Sequence, residues 1–403
     1  CEKNAGVVFD FAKDPIRYVI KDGWMVAPDT TLGADCGIGI ASQLAIMDDE
    51  TIPHGRLESL FTVSEETGLN GAKALKKGFI TGKILLNLDS EDEGEIFVGC
   101  AGGVDTVAVF QYKPKALPAS HVITRFGIRG CVGGHSGDDI DKGRANAVQL
   151  LSRFLFDALK YKIDICSIDG GNKVNAIARE ASAVVAIPAR NENAVVSLFN
   201  SFAAAVKGEY AVTEPGMEVF AEPLPPRRES IDSATSRKIV QALLAAPHGV
   251  LAMSADIKGL VETSSNLASV KTGPGRKVTV GTSQRSSINS ARAAAAEKCE
   301  AVFTLAGAAV RHESEYPGWK PNMASPVKDI CVKAYNRLFK KDPVVRAIHA
   351  GLECGLFLES FPDLDMVSFG PTLRGVHAPG EKLDLASLDK FWALLLEVLK
   401  MIK

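Results

Sequence analysis

The middle of this 403-residue chain does not read like its two ends, and that change of texture constrains the fold more than any other feature. From Leu32 to Gly103, glycine-bounded apolar runs alternate with helical patterns. The turn Gly33-Ala34-Asp35-Cys36-Gly37 opens a helix carrying Ile38, Ile40, Ala41, Leu44 and Ala45. The run Leu57 to Val63 reads as a strand, Gly71 to Lys77 as a short helix, and Ile84 to Leu88 and Ile96 to Val98 as buried strands. Such alternation implies a layered α/β sheet. From residue 104 the runs 107–112 and 121–128 alternate as half-exposed antiparallel strands do, and further strand signals follow at 163–168, 182–188 and 217–221. Helices at 142–160 and 192–207 fall between them, which suggests a ferredoxin-like α+β unit. A second, weaker version follows, with helices at 231–246 and 288–305 around strands near 257–271 and 276–282, and the proline-rich segment 222–226 joins the two halves. After Tyr316-Pro317-Gly318-Trp319 the α/β texture returns, with helices at 326–339 and 387–401 and strands at 344–349 and 365–369. The expected architecture is an α/β domain, 1–103 and 315–403, split by an inserted α+β ferredoxin-like domain, 104–314.

Composition narrows the function. Basic and acidic residues nearly cancel, 46 against 48, for a net charge of −2. That argues against nucleic-acid or anionic-membrane binding. No apolar run approaches the roughly 20 residues of a membrane helix. The eight cysteines are scattered, with no C-x-x-C pair, so neither a zinc ribbon nor a disulfide scaffold fits, and a reducing cytoplasm is expected. The chain opens at Cys1, and residues 1–30 read as folded interior through Val7, Val8, Phe9, Phe11, Tyr18, Val19, Ile20 and Trp24. The expectation is a piece of a longer protein whose front is missing.

Four acids carry the first chemical signal. Asp35 sits in a glycine-flanked turn opening a helix, Glu65 and Glu66 follow the run ending at Val63, and Asp89 follows the run ending at Leu88. Open α/β sheets bind ligands beyond the carboxyl ends of their strands, so these acids are expected in one crevice. So many carboxylates together require cations to neutralise them. With a histidine they make the ligand set of Zn²⁺ or Mn²⁺. Each acid alone also suits a turn or helix cap. The Glu65-Glu66 pair allows one carboxylate to bind metal while its neighbour serves as general base. Two histidines stand in glycine-rich loops, His377 before the last helix and His135 in the inserted domain. There is no G-x-S-x-G elbow for a serine hydrolase and no phosphate loop.

Seven strings, in this order, carry a family resemblance: TLGADCGIG, FTVSEETGLNGA, LLNLDSEDEGEIFVGCAGG, GGHSGDDIDKGRANA, YPGWKPNMASPV, IHAGLECGLF and MVSFGPT with HAPGE. The chain resembles the aminoacyl-histidine (Xaa-His, β-Ala-His) dipeptidases and the wider dinuclear-zinc aminoacylase/carboxypeptidase family over essentially its whole length. The resemblance implies a zinc-peptidase-like α/β catalytic domain, incomplete at its N-terminus, with the α+β insert as its lid. Asp35 would bridge two divalent metal ions, zinc in first place with cobalt or manganese as alternatives. Glu66 and His377 would complete one metal site, and Asp89 would bind the other ion. Glu65 would be the general base, and His135 would polarise the scissile carbonyl. Arg285 would hold the substrate carboxylate, with a surface salt bridge as the plain alternative, and Asn175 and Arg179 would face the cleft from the lid.

The departures from the pattern are as informative. Relatives place a His-x-Asp motif shortly before the region where this chain begins, and neither residue is present, so one metal site lacks its histidine. Position 36 is Cys where relatives carry Asn, and Gly380 replaces an Asp. The implied activity is hydrolysis of a dipeptide by a metal-activated water in a cytoplasmic enzyme, with hinges near Gly102-Gly103 and between Glu315 and Gly318. The partner is a small dipeptide, with no nucleic acid and no membrane, and a homodimer is the assembly allowed. The alternatives are an N-acyl amino acid deacylase on the same centre and a non-catalytic metal- or peptide-binding fragment.

Overall fold

The computed structural model describes residues 1–65 and 68–402. Its chain divides into two compact units. One comprises Cys1–Cys100, Trp319–Ile348 and Leu352–Lys403; the other comprises Ala101–Gly318 with His349–Gly351. The second unit thus begins at 101 and ends at 318, against 104 and 314 from the sequence, and it takes in a short segment from far along the chain.

The first unit is built on a four-stranded mixed sheet in the order Val344–Ile348, Glu95–Cys100, Asp365–Ser368, Ile84–Asn87. The outer pairs are parallel and the central pair antiparallel. Glu95–Cys100 is buried along nearly its whole length, which is why it reads as a continuous apolar run rather than an alternating one. Ile96, Val98, Val367 and Phe369 pack with Val327, Cys331 and Tyr335 of the helix Pro326–Phe339 and with Phe391, Leu394, Leu395 and Val398 of the helix Leu385–Met401. Both helices start on side-chain caps: Ser325 accepts from the Lys328 amide ahead of a proline in the first turn, and Asp384 accepts from Ala386 and Ser387. A second, small antiparallel sheet joins Val19–Lys21, Trp24–Val26, Lys382–Asp384 and Leu373–Arg374.

Two expectations fail in this unit. The run Leu57 to Val63 forms no strand; it is irregular chain, held because the Glu58 carboxylate accepts the amides of Thr81 (2.8 Å) and Gly82 (3.2 Å). The apolar residues at the start are not interior either. Phe9 is buried, but Val8, Tyr18, Val19 and Ile20 are exposed, on irregular chain and on the outermost strand of the small sheet.

The second unit contains one antiparallel sheet in which the ferredoxin-like motif occurs twice, one copy nested in the other. The inner copy is His121–Arg129, helix Ala147–Ala158, Asp164–Gly170, Ala181–Pro188, helix Glu192–Glu209 and Glu218–Leu224. Its strands lie in the order fourth, first, third, second. The outer copy starts earlier, with Gly102–Gln111, and resumes after the inner one with helix Ser233–Ala245, Val261–Gly273, Lys277–Ser286, helix Asn289–Leu305 and Ala309–Tyr316, in the same spatial order. Two register pairs, Val270 with Gly170 and Lys271 with Asp169, join the copies into one sheet. The segment 222–226 is not simply a linker: Pro223 lies in the outermost strand, where its missing N–H costs no ladder bond. The helices cover a core that includes Phe110, Phe126, Phe154, Phe199 and Phe303.

Gly102 and Gly103, expected as hinge residues, are buried strand residues. A Cβ on Gly102 would lie 2.4 Å from the Gly318 nitrogen, so glycine there serves close backbone approach.

Candidate metal centre and substrate residues

In the first unit, Asp35, Glu65 and Asp89 line one cavity of about 600 Å³. Each reaches it by a different local device. Gly33, in the left-handed region at φ 68°, turns the chain into the helix Ala34–Asp48 and leaves Asp35 buried in its first turn. A carboxylate there sits favourably against the helix dipole. Ser64, at φ 57°, turns the chain immediately before Glu65. Asp89 follows the strand Ile84–Asn87, and the Asn87 side-chain oxygen accepts both the Asp89 amide (3.2 Å) and the Ser368 hydroxyl (2.6 Å), tying that turn to the neighbouring strand.

His377 reaches the same place from the far end of the sequence. Its Nε2 lies 3.1 Å from Asp35 Oδ2. The residue is held at φ 63°, a left-handed conformation that a non-glycine residue seldom adopts, between Gly375 at 69° and Gly380 at 89°. Gly380 stands at a positive φ that glycine adopts without strain. Glu66 lies outside the described residues.

Three acids that carry no role in the sequence reading belong to this region. Glu381, 1% exposed, accepts the amides of Leu32 (2.8 Å), Gly33 (3.0 Å) and Ala34 (2.9 Å), so the His377 loop caps the helix that carries Asp35. Glu91 is pushed up by burial first; the His377 charge opposes this and the Asp35 charge adds to it, which places all three in one electrostatic neighbourhood. Glu353 lines the cavity, accepts from the Thr62 hydroxyl at 3.0 and 3.1 Å, and is also raised by burial. Glu353 stands within the string IHAGLECGLF and Glu381 at the end of HAPGE, so the signal was present without a geometry to interpret it.

Carboxylates facing an imidazole nitrogen are a donor set for a divalent cation of hard-to-borderline character. Asp35 with His377 meets that description, and Asp89 adds a further carboxylate to the same cavity. Among the described residues no group of three His, Cys, Asp or Glu stands close enough together to hold an ion unaided.

The second unit carries the other sequence-predicted residues. His135 Nδ1 accepts from the amides of Gly137 (3.3 Å) and Asp138 (3.2 Å), so the neutral ring bears its proton on Nε2. Asp138 Oδ2 lies 3.4 Å from the same Nδ1, and its contact with His135 holds the Asp138 carboxyl below the usual carboxylate range. Asn175 is exposed, and the carbonyls on either side of it, of Val174 and Ala176, both accept from the buried Asn266 amide at 3.1 and 2.8 Å. Arg179 packs over Gly133 and spends its Nε on the Cys131 carbonyl at 3.0 Å. Arg285 is 7% exposed on the strand Lys277–Ser286.

The comparisons with known proteins bear on the whole chain. A model of peptidase family M20/M25/M40 matches residues 4–401. The chain belongs to that family. Membership implies use of a divalent metal, which the facing Asp35 and His377 suit chemically. Among M20/M25/M40 relatives, the cytosol non-specific dipeptidase of Escherichia coli (strain K12) is 40% identical over 400 residues, 99% of this chain and 82% of that protein. The crystal structure of aminoacylhistidine dipeptidase from Vibrio alginolyticus superposes with a TM-score of 0.93 at 40% identity, covering 100% of this chain and 82% of that one. The aminopeptidase PepT from Bacillus cereus ATCC 10987 shares the fold at a TM-score of 0.52 and 18% identity, over 96% of this chain and 76% of that one.

Proposed function

We propose that this member of the peptidase family hydrolyses the amide bond of dipeptides, in first place of the Xaa-His type, in the cytoplasm. The observation that carries the reading is the meeting of His377 with Asp35 at 3.1 Å, beside a cavity that Glu65 and Asp89 also line. The names of the relatives at 40% identity, a cytosol dipeptidase and an aminoacylhistidine dipeptidase, support the substrate class and the compartment.

Asp35, Glu66, Asp89 and His377 are the residues proposed to hold two divalent ions, zinc in first place. Bound there, such ions lower the pKa of a water and polarise a carbonyl. Glu65, which lines the same cavity, is proposed as the base and not as a ligand: it accepts the proton of the attacking water and returns it to the leaving amine. In the second unit, His135 presents Nε2–H as a donor to a carbonyl oxygen as negative charge develops there, and a well-placed donor of this kind is worth about 3–4 kcal/mol. Arg285 pairs with the terminal carboxylate, restricting the enzyme to short substrates with a free C-terminus. Asn175 and Arg179 lie on the segment that Asn266 holds beside His135 and line the substrate's path.

The deciding experiment offers the metal-supplied protein β-alanyl-histidine, alanyl-histidine and N-acetyl-histidine in parallel. Cleavage of the dipeptides well ahead of the N-acetyl compound is expected. Faster deacylation, or no cleavage of any of the three, would overturn the reading.

A further inference from the structure

The register of four strands in the second unit places a row of residues across one sheet face. Ser264 pairs with Arg285, Arg285 with Gly103, and Gly103 with Tyr316. Directly paired residues project to the same face, so Ser264, Arg285 and Tyr316 share it, with Gly103 as a gap. A Cβ at Gly103 would meet the Tyr316 ring at 2.5 Å, so the phenol lies over that gap. It reaches Arg285, whose Nη1 donates to Tyr316 Oη at 3.1 Å. On the opposite flank Ser264 Oγ is bonded to His349 Nε2 at 2.7 Å, and His349 is 5% exposed.

A bulge decides which side chain stands there. Glu313 pairs with Asp105, but Tyr316 rather than Glu315 pairs with Gly103, because one extra residue enters the strand where Ser314 adopts φ 56°. In unbroken register the Glu315 carboxylate would stand opposite Gly103, beside the guanidinium. Instead Glu315 pairs with Arg292, which also donates to the Tyr316 carbonyl. A buried guanidinium needs partners, and a carboxylate partner would neutralise the charge that an incoming anion requires. Arg285 receives a neutral oxygen, and among the described residues no carboxylate lies within 4.0 Å of its nitrogens. Its Nε is buried and makes no hydrogen bond. The nearby Asp105 carboxyl is pushed up by burial, which disfavours its charged form.

We propose that Tyr316 is a positioning residue for Arg285, placed by the strand bulge so that the guanidinium is oriented yet left unneutralised for the free carboxylate of the substrate. This rests on reading Arg285 as the carboxylate anchor. The test measures the affinity of the full chain for L-histidine and for L-histidinamide by calorimetry. The two share imidazole and α-amine, so their ratio isolates the carboxylate. Arg285→Ala should abolish the preference for L-histidine. Tyr316→Phe, which keeps the ring, should reduce it about tenfold with little change for the amide, as expected for losing a hydrogen bond to a charged group. Gly103→Ala, which displaces the phenol by its Cβ, should reproduce that loss. If Arg285→Ala abolishes the preference but both other variants keep it, or weaken both ligands alike, the role of Tyr316 is overturned and the anchor stands. If the wild type shows no preference, or Arg285→Ala retains it, the anchor reading itself fails and this inference with it.

Discussion

The Glu381 carboxylate accepts the Ala34 amide at 2.9 Å, across nearly the full length of the chain, and thereby joins the loop of His377 to the helical turn of Asp35. The two ends of the sequence meet at the point where the metal ligands are proposed to converge. Removing this carboxylate leaves three backbone amides without their acceptor. Glu381→Ala should lower stability by about 3 kcal/mol, since each buried unsatisfied donor costs on the order of 1–3 kcal/mol. It should also weaken zinc binding, which calorimetry would measure beside a urea titration. Unchanged zinc affinity in a folded variant would confine Glu381 to helix capping.

The adjacent acids should separate by role. Glu65→Gln is expected to abolish turnover while leaving metal content intact, because it removes the base and no ligand. Glu66→Gln should instead lower metal occupancy. Equal metal loss in both variants would refute the division of labour.

Metal content should be unequal between the two proposed sites. Among the described residues one imidazole, that of His377, faces the acids. His54 Nδ1 is engaged with the Gly55 carbonyl, and His349 Nε2 with Ser264. One tightly held divalent ion per chain is expected, with a second held weakly by carboxylates alone. Elemental analysis after dialysis against a mild chelator would count them; two ions surviving that treatment would contradict the expectation.

Stability should fall as the solution is acidified below neutrality. Burial holds His248 down to about 4, and burial first, then the Arg285 charge, does the same to His349, with Asp138 pulling the other way and His135 adding to the depression. His248 Nδ1 accepts the Leu267 amide at 3.2 Å, a bond that protonation would break. Both folded values lie below the unfolded one, so between pH 6.5 and about 4 the unfolded chain takes up protons that the folded chain refuses. This contribution is fully present above pH 6.5 and declines by about 1.4 kcal/mol per pH unit for each histidine on descent. Urea denaturation at pH 7, 5.5 and 4.5 would trace it, and His248→Asn, whose amide oxygen can replace Nδ1, should flatten the slope. A profile already flat in the wild type would deny both histidines this role.

Much of the architecture was legible because burial writes itself into spacing. The helix Leu385–Met401 and the run Ile96 to Val98 announce themselves by where their apolar residues fall. What stayed hidden was long-range. Leu57 to Val63 has the composition of a strand, yet it is irregular chain tied through Glu58 to the distant Thr81 and Gly82 amides. Of the strand Gly102–Gln111 only the part from Val107 onward was visible, with its start read as a hinge, and nothing showed that it belongs with strands beyond residue 260. For the site, acids adjoining apolar runs could be picked out singly. Glu381 could not, since its role depends on Ala34 lying beside it in space, and Tyr316 depends on a single extra residue in a strand.

The nesting of one ferredoxin-like module inside another governs the order in which the second unit can assemble. The outer module's first strand must wait through roughly 120 residues before its next element is made, and closing so long a loop costs more entropy than closing a short one and slows folding. The inner module is continuous in sequence, so it can condense first. Its last strand pairs antiparallel with its first, Leu224 opposite Ile123, so on folding its two ends come to lie side by side. That shrinks the outer module's loop to the short stretches from Gln111 to His121 and from Leu224 to Ser233, and the inner copy acts as a folding clamp for the copy that carries Arg285.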